Sequence, residues 1–202
     1  MLVIGLTGNI AAGKSSVARL FARWGATLVD ADELAREAVA PGRPALAAIS
    51  ARWGPAVLQA DGSLDRATLR RLVFASPTER SALDAIVHPE VGRLRAEALA
   101  AAARRGDRLV VCDIPLLFEA GLEGTVDGVV LVDAPEEVRR ARLERDRQLG
   151  AADADAMMAA QWPSERKRSR ADWIIDNNGT LAELETRAHD VFTALKARAS
   201  SP

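Results

Sequence analysis

Short apolar runs alternate along the chain with longer stretches whose apolar residues recur at helical spacing, a pattern that predicts strands and amphipathic helices in turn. Leu2-Val3-Ile4-Gly5-Leu6 is the first run, ending at Thr7, with the continuous apolar character of a strand covered on both faces. Val17, Leu20, Phe21 and Trp24 then fall on one helix face, and Gly25 stands where a helix end takes a left-handed residue. Thr27-Leu28-Val29-Asp30 predicts a second buried strand, followed by a helix from Asp32 that carries Leu34, Ala35, Ala38 and Val39 and stops at Pro41-Gly42.

Residues 43 to 107 predict helices and no strand. Asp65 caps a segment bearing Leu69, Leu72 and Val73; Ser76-Pro77-Thr78-Glu79 has the form of a capping box with proline at the first helical position, and Leu83, Ile86 and Val87 continue that face. Pro89 is expected to open a further helix through Val91, Leu94, Ala98 and Leu99, which places His88 at a junction as a hinge histidine or a substrate contact. Leu109-Val110-Val111-Cys112-Asp113, Val129-Val130-Leu131-Val132-Asp133 and Trp173-Ile174-Ile175-Asp176 predict the remaining three strands. Between the last two lies a helix-loop-helix region, with Pro135 at its start, a second helix running to Gln161-Trp162-Pro163 and a third beginning at Arg166. Thr180 and Glu183 form a capping box for a last helix whose face is Leu181, Leu184, Ala188, Val191, Phe192 and Leu195; His189 is expected at its surface.

The first turn carries the chemistry. Gly8 through Ser15 fits G-x-x-x-x-G-K-[ST] with a predicted strand before it and a helix after it, the setting the motif requires to cradle the phosphates of ATP. Gly8 and Gly13 free the backbone so that successive amides of Gly8, Asn9, Ile10, Ala11, Ala12, Gly13, Lys14, Ser15 and Ser16 can surround an anion at a helix N-terminus. Lys14 supplies a charge for the β- and γ-phosphates, and the Ser15 hydroxyl is placed to ligate Mg²⁺. Lysine is scarce here, only three (Lys14, Lys167, Lys196) among 27 basic residues, which makes a lysine at the motif position less incidental.

In an open α/β sheet ligands gather beyond the carboxyl ends of the strands, where the loop and the cluster Asp30-Ala31-Asp32-Glu33 are both expected. Asp30 and Asp32 read either as helix caps or as groups that take the proton of an attacking hydroxyl or hold Mg²⁺ through water. Asp113, ending its strand, is a water-mediated Mg²⁺ partner or a turn former. Arg139, Arg140, Arg142, Arg145 and Arg147 read as a solvated helix face or as the source of a lid cation over a transferring phosphoryl group.

The chain has 202 residues, 49% hydrophobic, enough for one domain with a proper core. Its net charge of −1 provides no field toward nucleic acid, and the run Arg166-Lys167-Arg168-Ser169-Arg170 lacks interleaved aromatics, so no nucleic-acid partner is expected. No spanning helix or signal peptide is visible, which predicts a cytoplasmic protein without membrane association. The single Cys112 reads as a buried inert thiol. The fold expected is α/β, the P-loop NTPase fold, with a five-stranded parallel sheet covered by helices on both faces. Residues 1–202 form one domain: a core at about 1–42, 107–135 and 171–202, a helical substrate-side insertion at about 43–106, and a helical lid at about 136–170. No Asn-Lys-x-Asp guanine motif is present, which sets GTPases aside.

Taken together the motifs resemble those of the dephospho-coenzyme A kinase family over nearly the whole chain: Ile4-Gly5-Leu6-Thr7-Gly8 with the loop, Val29-Asp30-Ala31-Asp32 with Leu34-Ala35-Arg36, His88-Pro89, Ile114-Pro115-Leu116-Leu117-Phe118-Glu119, Arg145-Asp146, Gln161-Trp162-Pro163 with Lys167-Arg168, and Ala171-Asp172-Trp173-Ile174-Ile175-Asp176-Asn177-Asn178-Gly179. The resemblance implies transfer of the γ-phosphoryl of ATP to the ribose 3′-hydroxyl of dephospho-coenzyme A, with Asp32 as general base, Lys14 and the loop as triphosphate cradle, Ser15 on Mg²⁺, and Arg140 or Arg142 as lid cation. Thr7, Asp32, Arg36, His88 and Leu116 fall on the substrate side, and a monomer or weak homo-oligomer is implied. The chain departs from the family pattern at Asn9-Ile10-Ala11-Ala12, where Gly-Ile-Gly-Ser is usual, and at Ala141, where the lid arginine usually stands. A kinase of another small hydroxylated or nucleotide substrate is the alternative.

Overall fold

The computed structural model describes residues 1–74, 76–147 and 149–200, with only the backbone of Phe74. Its strands are β1 (Leu2–Gly8), β2 (Thr27–Asp30), β3 (Leu109–Asp113), β4 (Gly128–Asp133) and β5 (Trp173–Asp176). Its helices are α1 (Lys14–Arg23), α2 (Ala31–Ala38), α3 (Pro44–Trp53), α4 (Arg66–Phe74), α5 (Pro77–Arg105), α6 (Glu136–Arg147), α7 (Ala151–Ala159), α8 (Ser164–Arg168) and α9 (Leu181–Ser200). The chain divides into two compact units, Met1–Val29 with Ala102–Pro202, and Asp30–Ala101.

In the first unit the sheet order is β2-β3-β1-β4-β5, with β1 parallel to both β3 and β4, and β4 parallel to β5. Leu6 pairs with Asp113, Gly8 with Val132 and Asp133 with Asp176, so the central strands finish together and bring the loop after β1 beside Asp113, Asp133 and Asp176. All residues of β3 and β4 are buried, as continuous apolar runs covered on both faces should be. β2 departs from the expected burial on both faces: Leu28 remains 37% exposed, because helical cover thins at a sheet edge.

Val17, Ala18 and Phe21 of α1 pack with Leu184, Ala188, Phe192 and Leu195 of α9 and with strand residues Ile4, Leu6, Val130 and Val132 in one apolar cluster. The Phe21 and Phe192 rings lie 5.4 Å apart. The Thr180 and Glu183 box is complete, the Thr180 amide donating to Glu183 Oε2 at 2.7 Å and the Glu183 amide to Thr180 Oγ1 at 3.3 Å. Leu181, expected on the packed face, is 78% exposed, since the first helical residue lies past the edge of the cluster. His189 is exposed, edge-on to Trp24 at 5.1 Å. Cys112 is buried within β3. α8 begins at Ser164, two residues before the expected start at Arg166, because Pro163 ends the preceding segment and its fixed φ suits a helix entry.

The second unit has its own core of Val39, Leu46, Ile49, Val57, Leu69 and Val73. Asp65 caps α4, accepting from the amides of Ala67 and Thr68, both at 3.0 Å. Only half of the Ser76 box forms: the Glu79 amide donates to Ser76 Oγ at 3.3 Å, while the Glu79 carboxylate is taken by Arg52 and Trp53. The expectation that Pro89 opens a new helix is wrong. α5 runs through it from Pro77 to Arg105. A proline inside a helix forfeits one backbone bond, and the flanking segments, rich in alanine, leucine, arginine and glutamate, are strong enough helix formers to carry the interruption. His88 is therefore a mid-helix residue and not a hinge between two helices.

Among the features holding the α1 end, Gly25 has φ +99 and nothing within 4 Å of a Cβ built on it. Its amide donates to the Ala22 carbonyl and that of Ala26 to the Phe21 carbonyl, both at 3.0 Å, the two bonds of a left-handed helix end. Gly25→Ala should cost about 1 kcal/mol through backbone strain alone and lower the thermal midpoint by about 2–4 °C; an unchanged midpoint would show that the left-handed end is not required.

Candidate active site

The loop between β1 and α1 is built so that the carbonyls of Ala11 and Ala12 face protein while several of its amides do not. At its start, a Cβ on Gly8 would stand 2.5 Å from the Val132 carbonyl oxygen, so only glycine lets β1 approach β4 this closely. Gly13 has φ +97, and a Cβ there would collide with Asn177 Nδ2. Ala11, with φ +60, is the one non-glycine residue with positive φ among the described residues; the left-handed conformation costs an alanine about 1 kcal/mol.

Three side chains take the outward groups. Arg142 Nη1 donates to the carbonyl oxygens of Ala11 at 3.1 Å and Ala12 at 3.5 Å, Arg142 Nη2 donates to the Asn177 carbonyl at 3.2 Å, and Asn177 Nδ2 donates to the Ala12 carbonyl at 2.8 Å. Gln161 Oε1 accepts the Ile10 amide at 2.7 Å, and the Ala12 amide turns back to the Asn9 carbonyl at 3.0 Å. The amides of Ala11, Gly13, Lys14 and Ser15 meet no protein acceptor among the described residues. Those four donors, with the positive end of α1 behind them, make an anion cradle.

Lys14 Nζ pairs with Asp113, both side chains largely buried. The strand-end acid thus holds the motif lysine. The buried Thr7 hydroxyl donates to the Pro115 carbonyl at 3.1 Å and fixes the start of the segment that carries Leu116, itself 46% exposed. Ser15 is exposed in the first turn of α1, while the Ser16 hydroxyl accepts from Arg19. No group of three or more histidine, cysteine, aspartate or glutamate side chains able to hold a metal occurs among the described residues.

The region after β4 is tied down by contacts that sequence periodicity does not reveal. Lys167, fully buried, pairs with Glu119 at 2.7 Å, and the same Glu119 oxygen accepts the Trp162 amide at 3.0 Å. The Trp162 ring stacks on Phe118 and carries the Arg166 guanidinium 3.3 Å above its centre. Ser164 joins Asn9 to Asp133, donating at 2.7 Å to the acid and accepting at 3.1 Å from the amide. Arg168 bridges Asp133 at 2.9 Å and Asp176 at 2.6 Å. Beyond the family motifs, the scarcity of lysine was the sign that Lys167 has a particular place; for Gln161 and Asn177 no sign existed outside those motifs.

Arg140, expected as a lid cation, pairs with Asp155 at 2.8 Å and Glu136 at 3.3 Å and lines a cavity of about 750 Å³ together with Asn9, Asp133, Trp162 and Arg168. Arg142 lies on the loop itself. In the second unit, Asp30 takes the cap of α2, accepting from the amides of Asp32 at 2.8 Å and Glu33 at 3.2 Å. The helix accordingly starts one residue earlier than expected, at Ala31, and the Asp32 carboxylate, which is exposed, is released from capping. Arg36 is exposed in the last turn of α2. His88 is exposed on α5, 3.7 Å from Asp84.

Residues 2–183 match the family model for dephospho-CoA kinase. A dephospho-CoA kinase of Streptomyces avermitilis is 50% identical over 202 residues, covering 100% of this chain and 98% of its own. The crystal structure of TT1252 from Thermus thermophilus superimposes with a TM-score of 0.82 at 42% identity, over 96% of each chain. A dephospho-CoA kinase from Campylobacter jejuni, 21% identical and covered to 96% in both chains with a TM-score of 0.69, shares the fold.

The buried pair after β4 has a measurable consequence. Burial pushes the Glu119 carboxyl up, but the Lys167 ammonium and the Trp162 amide outweigh it and hold the group below the ordinary carboxylate range. The stability this contributes is present above that range and is lost as pH falls through the lowered value. Glu119→Gln should therefore flatten the acid limb of the melting temperature against pH, and Lys167→Met, which strands a buried carboxylate, should cost about 3–5 kcal/mol. Melts from acidic to neutral pH check both; an acid limb in Glu119→Gln as steep as that of the parent would contradict the assignment.

Proposed function

The chain belongs to the dephospho-CoA kinase family, and from that membership we propose that it moves the γ-phosphoryl group of ATP to the ribose 3′-hydroxyl of dephospho-CoA, giving CoA and ADP, the last step of coenzyme A biosynthesis. The observation that carries this reading is the loop from Gly8 to Ser15, with four amides that meet no protein acceptor among the described residues and Lys14 beside them, in a chain matched to the family from residue 2 to residue 183.

In the transfer, the bond from the 3′-oxygen to the γ-phosphorus forms as the bond to the bridging β-γ oxygen breaks, and ADP leaves. The loop amides and Lys14 hold the β- and γ-phosphates and take up charge that develops on the leaving side. Lys14 exchanges Asp113 for phosphate oxygens, so the acid keeps the lysine oriented until nucleotide arrives. Asp32, relieved of capping by Asp30, accepts the proton of the 3′-hydroxyl. Arg140, held by two exposed carboxylates and not by backbone, is the arginine free to move onto the γ-phosphoryl as the lid cation. Thr7, Arg36, His88 and Leu116 serve the acceptor: Thr7 by positioning the segment of Leu116, Arg36 through a charge suited to the acceptor's phosphates, His88 as a polar contact.

The residues present fit Mg²⁺, which needs few protein ligands when phosphate oxygens and water complete its shell, and the exposed Ser15 hydroxyl is the group that would hold it. The ion would neutralise charge between the β- and γ-phosphates. No helix is long and apolar enough to cross a membrane among the described residues, and we place the enzyme in the cytoplasm.

ADP release measured against a panel of hydroxylated and nucleotide acceptors tests the reading: dephospho-CoA should drive release with formation of CoA, and preferential release with another acceptor would replace the substrate. Asp32→Asn should keep ATP affinity and lose about 10²- to 10⁴-fold in turnover; full turnover in that variant would remove Asp32 as base. Lys14→Ala should weaken both ATP binding and turnover.

A further inference from the structure

A loop that places an alanine where the backbone is left-handed needs something to keep it there. Ala11 is that residue, at φ +60, and its carbonyl and the next one are the two that Arg142 holds. A return of Ala11 to the right-handed region would rotate the adjoining peptide planes, taking the carbonyls off the guanidinium and re-aiming the neighbouring amides. We infer that Arg142 is a positioning residue: its guanidinium clamps the Ala11 and Ala12 carbonyls outward and thereby keeps a strained alanine in the conformation that turns the loop amides toward phosphate. The inference rests on the loop being the triphosphate cradle.

The geometry is specific to arginine. One planar fork spans from the Ala11 and Ala12 carbonyls to the Asn177 carbonyl, while Asn177 Nδ2 meets Ala12 from the other side, so the Ala12 carbonyl is held from two directions. A lysine has no planar fork to reach both sides. Asp146 lies near enough to Arg142 to feel its charge, and Arg140, two residues earlier on α6 and so turned toward Asp155 and Glu136, donates to no loop carbonyl among the described residues. Among the described residues no other guanidinium donates to these carbonyls.

If strain at Ala11 is what the clamp offsets, a glycine at that position should make the clamp partly dispensable. The test is a double-mutant cycle read by calorimetric titration with Mg-ADP, which binds without turnover. Arg142→Met should raise the Mg-ADP Kd about tenfold with alanine at position 11, the worth of one or two lost hydrogen bonds, and Arg142→Lys should not restore it. With Ala11→Gly in the background the same Arg142→Met change should raise Kd by no more than about threefold, since glycine enters the left-handed region freely. An arginine that merely supports the fold would cost equally in both backgrounds, and equal losses would overturn the clamp. Failure of the parent protein to bind Mg-ADP would instead overturn the cradle reading, and the clamp with it. Should Arg142→Met fail to fold, Arg142→Lys, which keeps the charge and loses the fork, takes its place in the cycle: a loss in Mg-ADP affinity that is smaller with Ala11→Gly supports the clamp, and an equal loss overturns it.

Discussion

The orientation of a few peptide planes between β1 and α1 is the constraint on which the rest depends. A peptide plane cannot face an anion with both of its polar ends. For the amides of Ala11, Gly13, Lys14 and Ser15 to be available, the carbonyls of Ala11 and Ala12 must be satisfied on the opposite side, and the donors that satisfy them come from residues 142 and 177. The strands explain why these distant residues are at hand. Parallel pairing makes β1, β4 and β5 end together, so Asn177, just past β5, and α6, just past β4, reach the loop without any long connection.

Around that centre, the charges are arranged as interlocking pairs. Asp113 holds Lys14; Asp133 holds Ser164 and Arg168; Asp176 shares Arg168. Each acid ends a strand, and each cation or hydroxyl comes from an element that must be correctly placed for the loop to be complete. Glu119 with Lys167 does the same for the segment carrying Gln161, whose side chain takes the Ile10 amide. Because desolvated charges are costly when left alone, such pairs specify position more than they add stability.

Much of the fold could be read beforehand because its signals are local. The five strands are short apolar runs, the glycines at 8, 13 and 25 stand where backbone geometry or close approach demands them, and the cap at Asp65 and the box at Thr180 form as residue type and spacing suggest. Failures arose where a local rule met a nonlocal circumstance. Pro89 is absorbed by a helix whose flanks outweigh one lost bond, Leu28 is exposed because its strand lies at the sheet edge, and α2 starts at Ala31, one residue before Asp32, because of the two acids offered as caps it is Asp30 that takes the role. The Arg142 clamp on Ala11 and Ala12 and the Gln161 contact join residues separated by 130 positions or more, and no periodicity within a segment encodes such a pairing. The departure at Ala11 was visible in the chain; its consequence, a left-handed alanine, is a property of the folded loop.

Amide chemical shifts offer the most direct access to the central claim that the loop amides receive the terminal phosphates. Titration of Mg-ADP into uniformly ¹⁵N-labelled protein should produce the largest amide shifts, and a gain in hydrogen-exchange protection, at Ala11, Gly13, Lys14 and Ser15. Saturable binding that leaves those four resonances in place while others move would contradict the account.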